Sequence, residues 1–333
     1  MIVVERWIRF DTVDAAARLE GLRGVVPINV DDAVLVESWS NDTWVTDEAV
    51  LRICWRGDRG RLDRERQVLS ALPASLPHAS VLSAGVWEDG TWIVLRRLPG
   101  KRLDLAWPTL PLDQRRRAVR QLGEILRSLH RWAPPPKTRA LLSAGASVTN
   151  KSPAEIAGSM LVPWPLDRLS PLLEWSEGLL PGHPDLHRAL RRRSRELAPV
   201  APEAEFEGDV VVHGDAHAAN VLYDRGELVA LLDYEWARLG PADLELEAAC
   251  RDDPQVEAGI DDRGVLATEV FGLTWLREGY PELFEREHLT ERLWLYRLCF
   301  ELRSLCVWAD GGVSDRQLSR LRSIADHPWV RFS

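Results

Sequence analysis

Around Leu98-Pro99-Gly100 the hydrophobic pattern of this chain changes period, and that change limits the folds open to it. Before it, short β-branched and aromatic runs alternate with turn residues; after it, apolar residues recur at helical spacing. Ala33 to Glu37, Thr43 to Thr46 and Ala49 to Trp55 read as strands, the last two closed into a tight hairpin by Asp47-Glu48. Val81 to Trp87 and Thr91 to Leu95 read as a second hairpin around Glu88-Asp89-Gly90. A short helix is predicted over Asp14 to Leu22, stopped by Gly24. The main helix, Arg61 to Leu72, sets Leu62, Val68, Leu69 and Leu72 on one side and ends before Pro73.

Beyond the hinge, Leu112 to Trp132 carries Val119, Leu122, Ile125, Leu126 and Leu129 on one face, and Pro134-Pro135-Pro136 stops it. Further helices are predicted over Leu186 to Leu197, Glu245 to Cys250, Val265 to Glu278 and Leu289 to Ala309. The expected class is α+β: an antiparallel-sheet unit over residues 1–98 and a larger, mainly helical unit over residues 99–333. A chain of 333 residues is long enough for such a two-lobed body.

The net charge of -9 argues against a nucleic-acid partner, which calls for a basic surface. No apolar run approaches the roughly 20 residues of a membrane helix, and Glu5 and Arg6 interrupt the first residues where a signal peptide would be apolar. Cys54, Cys250, Cys299 and Cys306 show no zinc spacing, and Cys299 and Cys306 read as buried free thiols. A reducing cytoplasm is the expected compartment. Lysine occurs only at Lys101, Lys137 and Lys151, so arginine supplies nearly all the cations.

Chemistry concentrates in Val211 to Asp224, VVHGDAHAANVLYD. Val210 to Val212 reads as a buried strand, and Val221 to Tyr223 and Leu228 to Leu232 as the arms of a hairpin turned by Asp224-Arg225-Gly226-Glu227. A hairpin returns the chain, so Asp233 comes back beside Asn220, with Asp215 in the loop ahead of them. Oxygen ligands of this kind suit Mg²⁺, which keeps waters and shares phosphates. A carboxylate free of the metal can take a proton from a hydroxyl, and phosphoryl transfer asks little more of a protein than positioning and charge neutralisation. His213-x-Asp215-x-His217 could also place imidazoles around a metal, as in a hydrolase, although HEXXH is absent and the other histidines show no partner cluster near a strand end; a polar turn without chemistry is the third reading.

HGDAHAANVL followed by ALLDYEWARLGPADLE resembles the aminoglycoside phosphotransferase family, within the bilobal protein-kinase-like fold. The resemblance implies that Asp215 is the catalytic base and that Asn220 and Asp233 bind Mg²⁺. It implies that His213 holds the loop, that His217 packs it, and that Asp243 ties the following helix to it. Glu235 either faces the site or is an exposed acid beside it, the second being the expectation. Leu122 to His130 is similar to a family helix, with His130 a satisfied core histidine. Val94 to Gly100 resembles the segment joining the lobes, where backbone groups near Arg96 to Leu98 would meet adenine.

Ser38 to Trp44 stands where the fold places a phosphate-covering turn; Ser40 and Asn41 would present backbone N–H groups to phosphate, although the sequence lacks GxGxxG. Arg52 occupies the position of the phosphate-binding lysine, with Glu65 its expected partner. An arginine on an edge strand pointing to solvent is the competing reading. Three functions stay open: an ATP- or GTP-dependent kinase for a small-molecule hydroxyl (aminoglycoside, amino sugar, macrolide or choline-like alcohol), an impaired nucleotide-binding module, and a metal-dependent hydrolase. Asp252, Asp253, Asp261 and Asp262 form an acidic rim or a solvated surface. Trp275, Trp294 and Trp308 are expected in the core.

Overall fold

The computed structural model describes residues 12–36, 41–55, 60–87, 90–144, 166–200, 210–247, 273–308 and 313–326. Positions 38–40 of the expected turn, the acids Asp252, Asp253, Asp261 and Asp262, and helical positions 248–250 and 265–272 lie outside them.

An antiparallel sheet of five strands has the order β1-β2-β3-β5-β4, from Val34–Val36 (β1), Asp42–Val45 (β2), Ala49–Cys54 (β3), Val81–Trp87 (β4) and Gly90–Arg96 (β5). β3 therefore lies in the middle, paired with both β2 and β5. Its residues alternate between two buried faces. Leu51 and Ile53 pack with Ala15, Leu19 and Leu22 of helix α1 (Thr12–Leu22). Cys54 packs with Leu62 and Val68 of helix α2 (Arg61–Leu69), and Arg52 shares that second face.

Past the hinge, Lys101–Arg102 (β6) pairs with Val221–Asp224 (β8), which pairs with Glu227–Leu231 (β9). Val210–Val212 (β7) pairs separately with Arg238–Gly240 (β10). Helices α3 (Leu103–Ala106), α4 (Leu112–Arg131) and α5 (Pro136–Ala144) lead into α6 (Leu166–Leu179) and α7 (Pro184–Leu197); α8 (Leu273–Gly279), α9 (Leu289–Trp308) and α10 (Asp315–Asp326) follow.

The amphipathic stripe of α4 buries Ala118, Val119, Leu122, Leu126 and Leu129, each leucine contributing about 1.5–3 kcal/mol of apolar burial. Gly123 lets this helix approach α8 at backbone distance: a Cβ there would lie 2.6 Å from the Leu276 carbonyl oxygen. Gly279 faces it reciprocally, its Cβ position overlapping the Arg120 carbonyl.

One apolar core runs from the underside of the sheet through α2 and α4 to β7, β8 and the start of α9. A second joins α6, α7, α9 and α10 and contains Trp294 and Cys299. Trp275 packs against the first, so both tryptophans are core residues; the side chain of Trp308 lies outside the described residues. Cys54 and Cys299 are buried free thiols. No helix among the described residues is long and apolar enough to cross a membrane.

Candidate active site

The buried run of β7 delivers His213, Gly214 and Asp215 to the edge of the cleft. His213 is fully buried, and both ring nitrogens are engaged. Nε2 lies 2.8 Å from the Leu232 carbonyl oxygen and Nδ1 3.3 Å from the Asp215 N–H. This pattern fits a neutral ring with its proton on Nε2. Burial pulls its pKa down, against Glu245, Asp215 and Asp233, which raise it. No ring nitrogen is left for zinc, so the hydrolase reading loses this ligand. Gly214 has φ +79, and a Cβ there would meet the Arg238 guanidinium at 2.7 Å.

Glu245, rather than Asp243, ties the following helix to the loop. Its carboxylate accepts the backbone N–H groups of His213 and Gly214. Asp243 turns the other way, onto Arg292 at 2.6 and 3.1 Å and the Tyr296 hydroxyl at 3.0 Å. The reason is helical phase: Asp243 lies in the 3-10 turn Ala242–Leu244 and Glu245 caps it, where residues two apart point about 240° apart, so a tie to the loop and a tie to α9 cannot fall on the same position. Burial would raise the Glu245 carboxyl, but His130, His213 and the donated N–H groups hold it below its ordinary value. His130 is a core histidine as expected but only half satisfied: Nδ1 lies 3.1 Å from the Tyr280 hydroxyl, while the buried Nε2 has no hydrogen-bond partner and stands 3.7 Å from Glu245 Oε1.

The loop closes through a 3-10 turn over Ala218–Asn220. Asn220 donates its side-chain N–H groups to Asp215, at 3.0 Å to the backbone oxygen and 3.0 Å to Oδ2. That leaves the Asn220 amide oxygen as the atom able to face a cation. The hairpin turn between β8 and β9 has positive φ at Arg225 and Gly226, as a two-residue turn requires. Across its open end the Leu232 N–H donates to the Asn220 carbonyl at 2.8 Å, placing Asp233 next to Asn220. Asp233 is held in the left-handed region, φ 65 and ψ 64, with its side chain 24% exposed.

Arg52 points into this cleft from mid-sheet and not to solvent from an edge. Its Nη1 lies 2.5 Å from Glu65 Oε2; its Nη2 lies 3.1 Å from Asp233 Oδ1 and 3.4 Å from Glu235 Oε2. Burial works against its charge, but Asp233, Glu65 and Glu235 together raise its pKa. Burial pushes Glu65 up, aided by Asp233 and Glu235 and opposed by Arg52. Glu65 also accepts the Tyr234 N–H at 3.3 Å, so α2 grips the turn after Asp233 directly.

Glu235 corrects the sequence expectation: it is buried, not exposed. The left-handed Asp233 and the 3-10 turn behind it fold Glu235 back beneath the sheet. There it meets Asn41 Nδ2 at 3.1 Å and Arg61 Nε at 3.8 Å. Burial and Asp233 raise its pKa, against Arg52 and Arg61. Carboxylate oxygens of Glu65, Asp233 and Glu235 lie within 4.8 Å of one another, but the Arg52 guanidinium contacts all three carboxylates. Glu65 and Glu235 are thereby buried in an ion-pair knot, and Asp233 is the one partly exposed carboxylate of the three. Arg61 belongs to the knot, reaching Asn41 Oδ1 at 3.4 Å and Cys54 Sγ at 3.3 Å; its burial at a helix start gave no sequence signal.

Of the proposed nucleotide contacts, Ser40 lies outside the described residues. The side chain of Asn41 is directed inward between Glu235 and Arg61, so any phosphate contact falls to its backbone. At the lobe junction the Arg96 and Arg97 N–H groups are bonded to Ser80 and Glu48 at 2.9 Å each. The edge expected to meet adenine thereby narrows to the N–H of Leu98 and the carbonyl oxygens.

A family model described as the phosphotransferase enzyme family matches residues 32–279. Comparison with curated protein sequences gives no match. Among solved structures, an aminoglycoside-3'-phosphotransferase of type VIII is similar at a TM-score of 0.56 and 20% identity, covering 86% of this chain and 98% of that one. APH(2'')-IIa in complex with streptomycin and ATP gives 0.53 at 15% identity, with 89% and 91% covered. A thermostable mutant of APH(4)-Ia with AMP-PNP and hygromycin B gives 0.51 at 20% identity, with 89% and 95% covered. At these identities the likeness is one of fold, bilobal and α+β.

Proposed function

The chain belongs to the phosphotransferase enzyme family, and from that premise we propose that it transfers the γ-phosphate of ATP or GTP to a hydroxyl of a small molecule. Residues 1–98 would carry the nucleotide and residues 99–333 the catalytic loop and acceptor. The observation that carries the reading is the convergence of Asp215, Asn220 and Asp233 across the open end of one hairpin. Asp215 then accepts the acceptor's hydroxyl proton as the oxygen attacks.

The donor set fits Mg²⁺. The Asn220 amide oxygen and the Asp233 carboxylate are hard oxygen ligands, at most two from protein, as this ion favours beside phosphates. Bound there, it would neutralise charge on the transferring phosphoryl group. Arg52 faces the same space and supplies a fixed cation for the phosphates. Buried free thiols at Cys54 and Cys299 support a reducing, cytoplasmic setting.

The acceptor is a small hydroxyl compound: an aminoglycoside first, as the neighbours with hygromycin B, gentamicin and streptomycin suggest, then an amino sugar, macrolide or choline-like alcohol. A coupled screen for ADP or GDP release, with Mg²⁺ and each of these acceptors, tests the reading. Acceptor-dependent release with a phosphorylated product supports it. A second reading, a nucleotide-binding module without transfer, is favoured by the Arg52 contact to Asp233, which competes with a cation for the same carboxylate. Nucleotide-dependent thermal stabilisation with no release across the panel would select it.

A further inference from the structure

We infer that His217 is a positioning residue that fixes the Asp215 carboxylate through an Nε2–H donor, a role that rests on the phosphotransferase reading. The assignment follows from proton accounting around the ring. His217 Nδ1 accepts the Ala219 backbone N–H at 3.3 Å, capping the 3-10 turn that ends at Asn220. A neutral imidazole has one donor and one acceptor nitrogen, so accepting at Nδ1 puts the proton on Nε2. That nitrogen lies 3.4 Å from Asp215 Oδ2.

Asn220 Nδ2 also lies 3.4 Å from His217 Nε2, but its two hydrogens have better acceptors in Asp215 O and Oδ2, each at 3.0 Å. Nε2 therefore need not act as an acceptor. Asn220 Nδ2 and His217 Nε2 stand side by side, 3.4 Å apart, and both reach Oδ2 of Asp215, at 3.0 and 3.4 Å. Two donors on one flank of Oδ2 limit the rotation of the carboxylate. His217 thus couples the turn that sets Asn220 to the group that takes the acceptor proton. The side chain is about three-quarters buried, with 26% exposed, so the contact is shielded without being sealed.

Two substitutions separate this role from simple capping. His217→Asn keeps an oxygen near Nδ1 to accept from Ala219 but falls short of Asp215. His217→Gln carries an N–H donor out to the place of Nε2 and gives up the cap. Turnover is measured as ADP or GDP release, with water alone and with the acceptor that wild type uses best. H217N is expected to lose about tenfold to a hundredfold in kcat, with little change in nucleotide KM or Tm. H217Q is expected to stay within a few fold of wild type.

The reverse order, an active H217N and a slow, less stable H217Q, would make His217 a cap only and overturn the role. So would equal rates in all three proteins. Nitrogen-15 spectra of histidine-labelled wild type give a check independent of turnover: a ring protonated on Nδ1 overturns the assignment. Wild type that turns over neither nucleotide with any acceptor overturns the phosphotransferase reading instead, and the two failures are told apart.

Discussion

Arg52 and Asp233 are bound to each other across the cleft, Nη2 to Oδ1 at 3.1 Å, although one stands in mid-sheet and the other follows a hairpin 181 residues later. The guanidinium takes Glu65 with one nitrogen while holding Asp233 and Glu235 with another. A lysine's ammonium is a compact point charge without this planar fork. The arginine at this position thus makes a bridge between α2 and the turn after β9.

Removing that bridge leaves buried carboxylates without their cation. Arg52→Ala is expected to cost about 3–5 kcal/mol in urea unfolding. Arg52→Lys should fall between the two and raise the nucleotide KM, since one ammonium cannot hold the same three carboxylates in this geometry. Unfolding of R52A within about 0.5 kcal/mol of wild type would show that the pairing adds nothing.

Asp215→Asn keeps the shape of the loop and removes the base. kcat should fall by about a hundredfold to ten-thousandfold, with nucleotide affinity by calorimetry nearly unchanged. Turnover within a few fold of wild type would remove Asp215 from the chemistry.

Glu245 is a test of what holds the loop. Glu245→Ala strips the acceptor from the His213 and Gly214 N–H groups and should cost about 2–4 kcal/mol, with kcat reduced. Asp243→Asn, which alters the contacts to α9 and to Arg286 just before it, should destabilise while sparing kcat per folded molecule. If D243N slows turnover as much as E245A, the division between the two acids is wrong.

His213 predicts a pH dependence of stability. Its folded pKa lies below the ordinary 6.5 because it is buried, so the unfolded chain binds the proton first. Its contribution is present above pH 6.5 and lost as pH falls toward the folded value. Asn at this position retains a donor and an acceptor but cannot titrate. The Tm gap between wild type and His213→Asn should therefore be widest near about pH 7.5 and shrink toward about pH 5. Parallel curves would exclude the effect.

The stretch from Val211 to Asp233 was legible because its logic is local. A valine strand, a polar loop and a two-residue hairpin place Asp215, Asn220 and Asp233 by chain geometry alone. Arg52 and Glu65 could be matched only through the family resemblance, which sets a cation on this strand opposite a helix glutamate. Glu235 and Glu245 were not legible in the same way. The first depends on Asp233 adopting a left-handed conformation, which its sequence neighbours do not announce. The second depends on helical phase in a segment where Asp243, Glu245 and Glu247 alternate with leucines. All three acids are buried, a pattern that signals ion pairs on both sides once it is noticed. Arg61 is the hardest case, because a buried arginine in the first turn of a helix looks like any solvated one.

The contact of Gly123 with α8 sets how close two helices can lie. A Cβ on Gly123 would come within 2.6 Å of the Leu276 carbonyl oxygen, and one on Gly279 would overlap the Arg120 carbonyl. Neither helix can take an alanine there without moving off the other. Because α4 shares its core with β7 and β8, such a shift would reach the strand that leads into His213, Gly214 and Asp215. Two missing methyl groups far from the cleft thus act as a spacer for the loop.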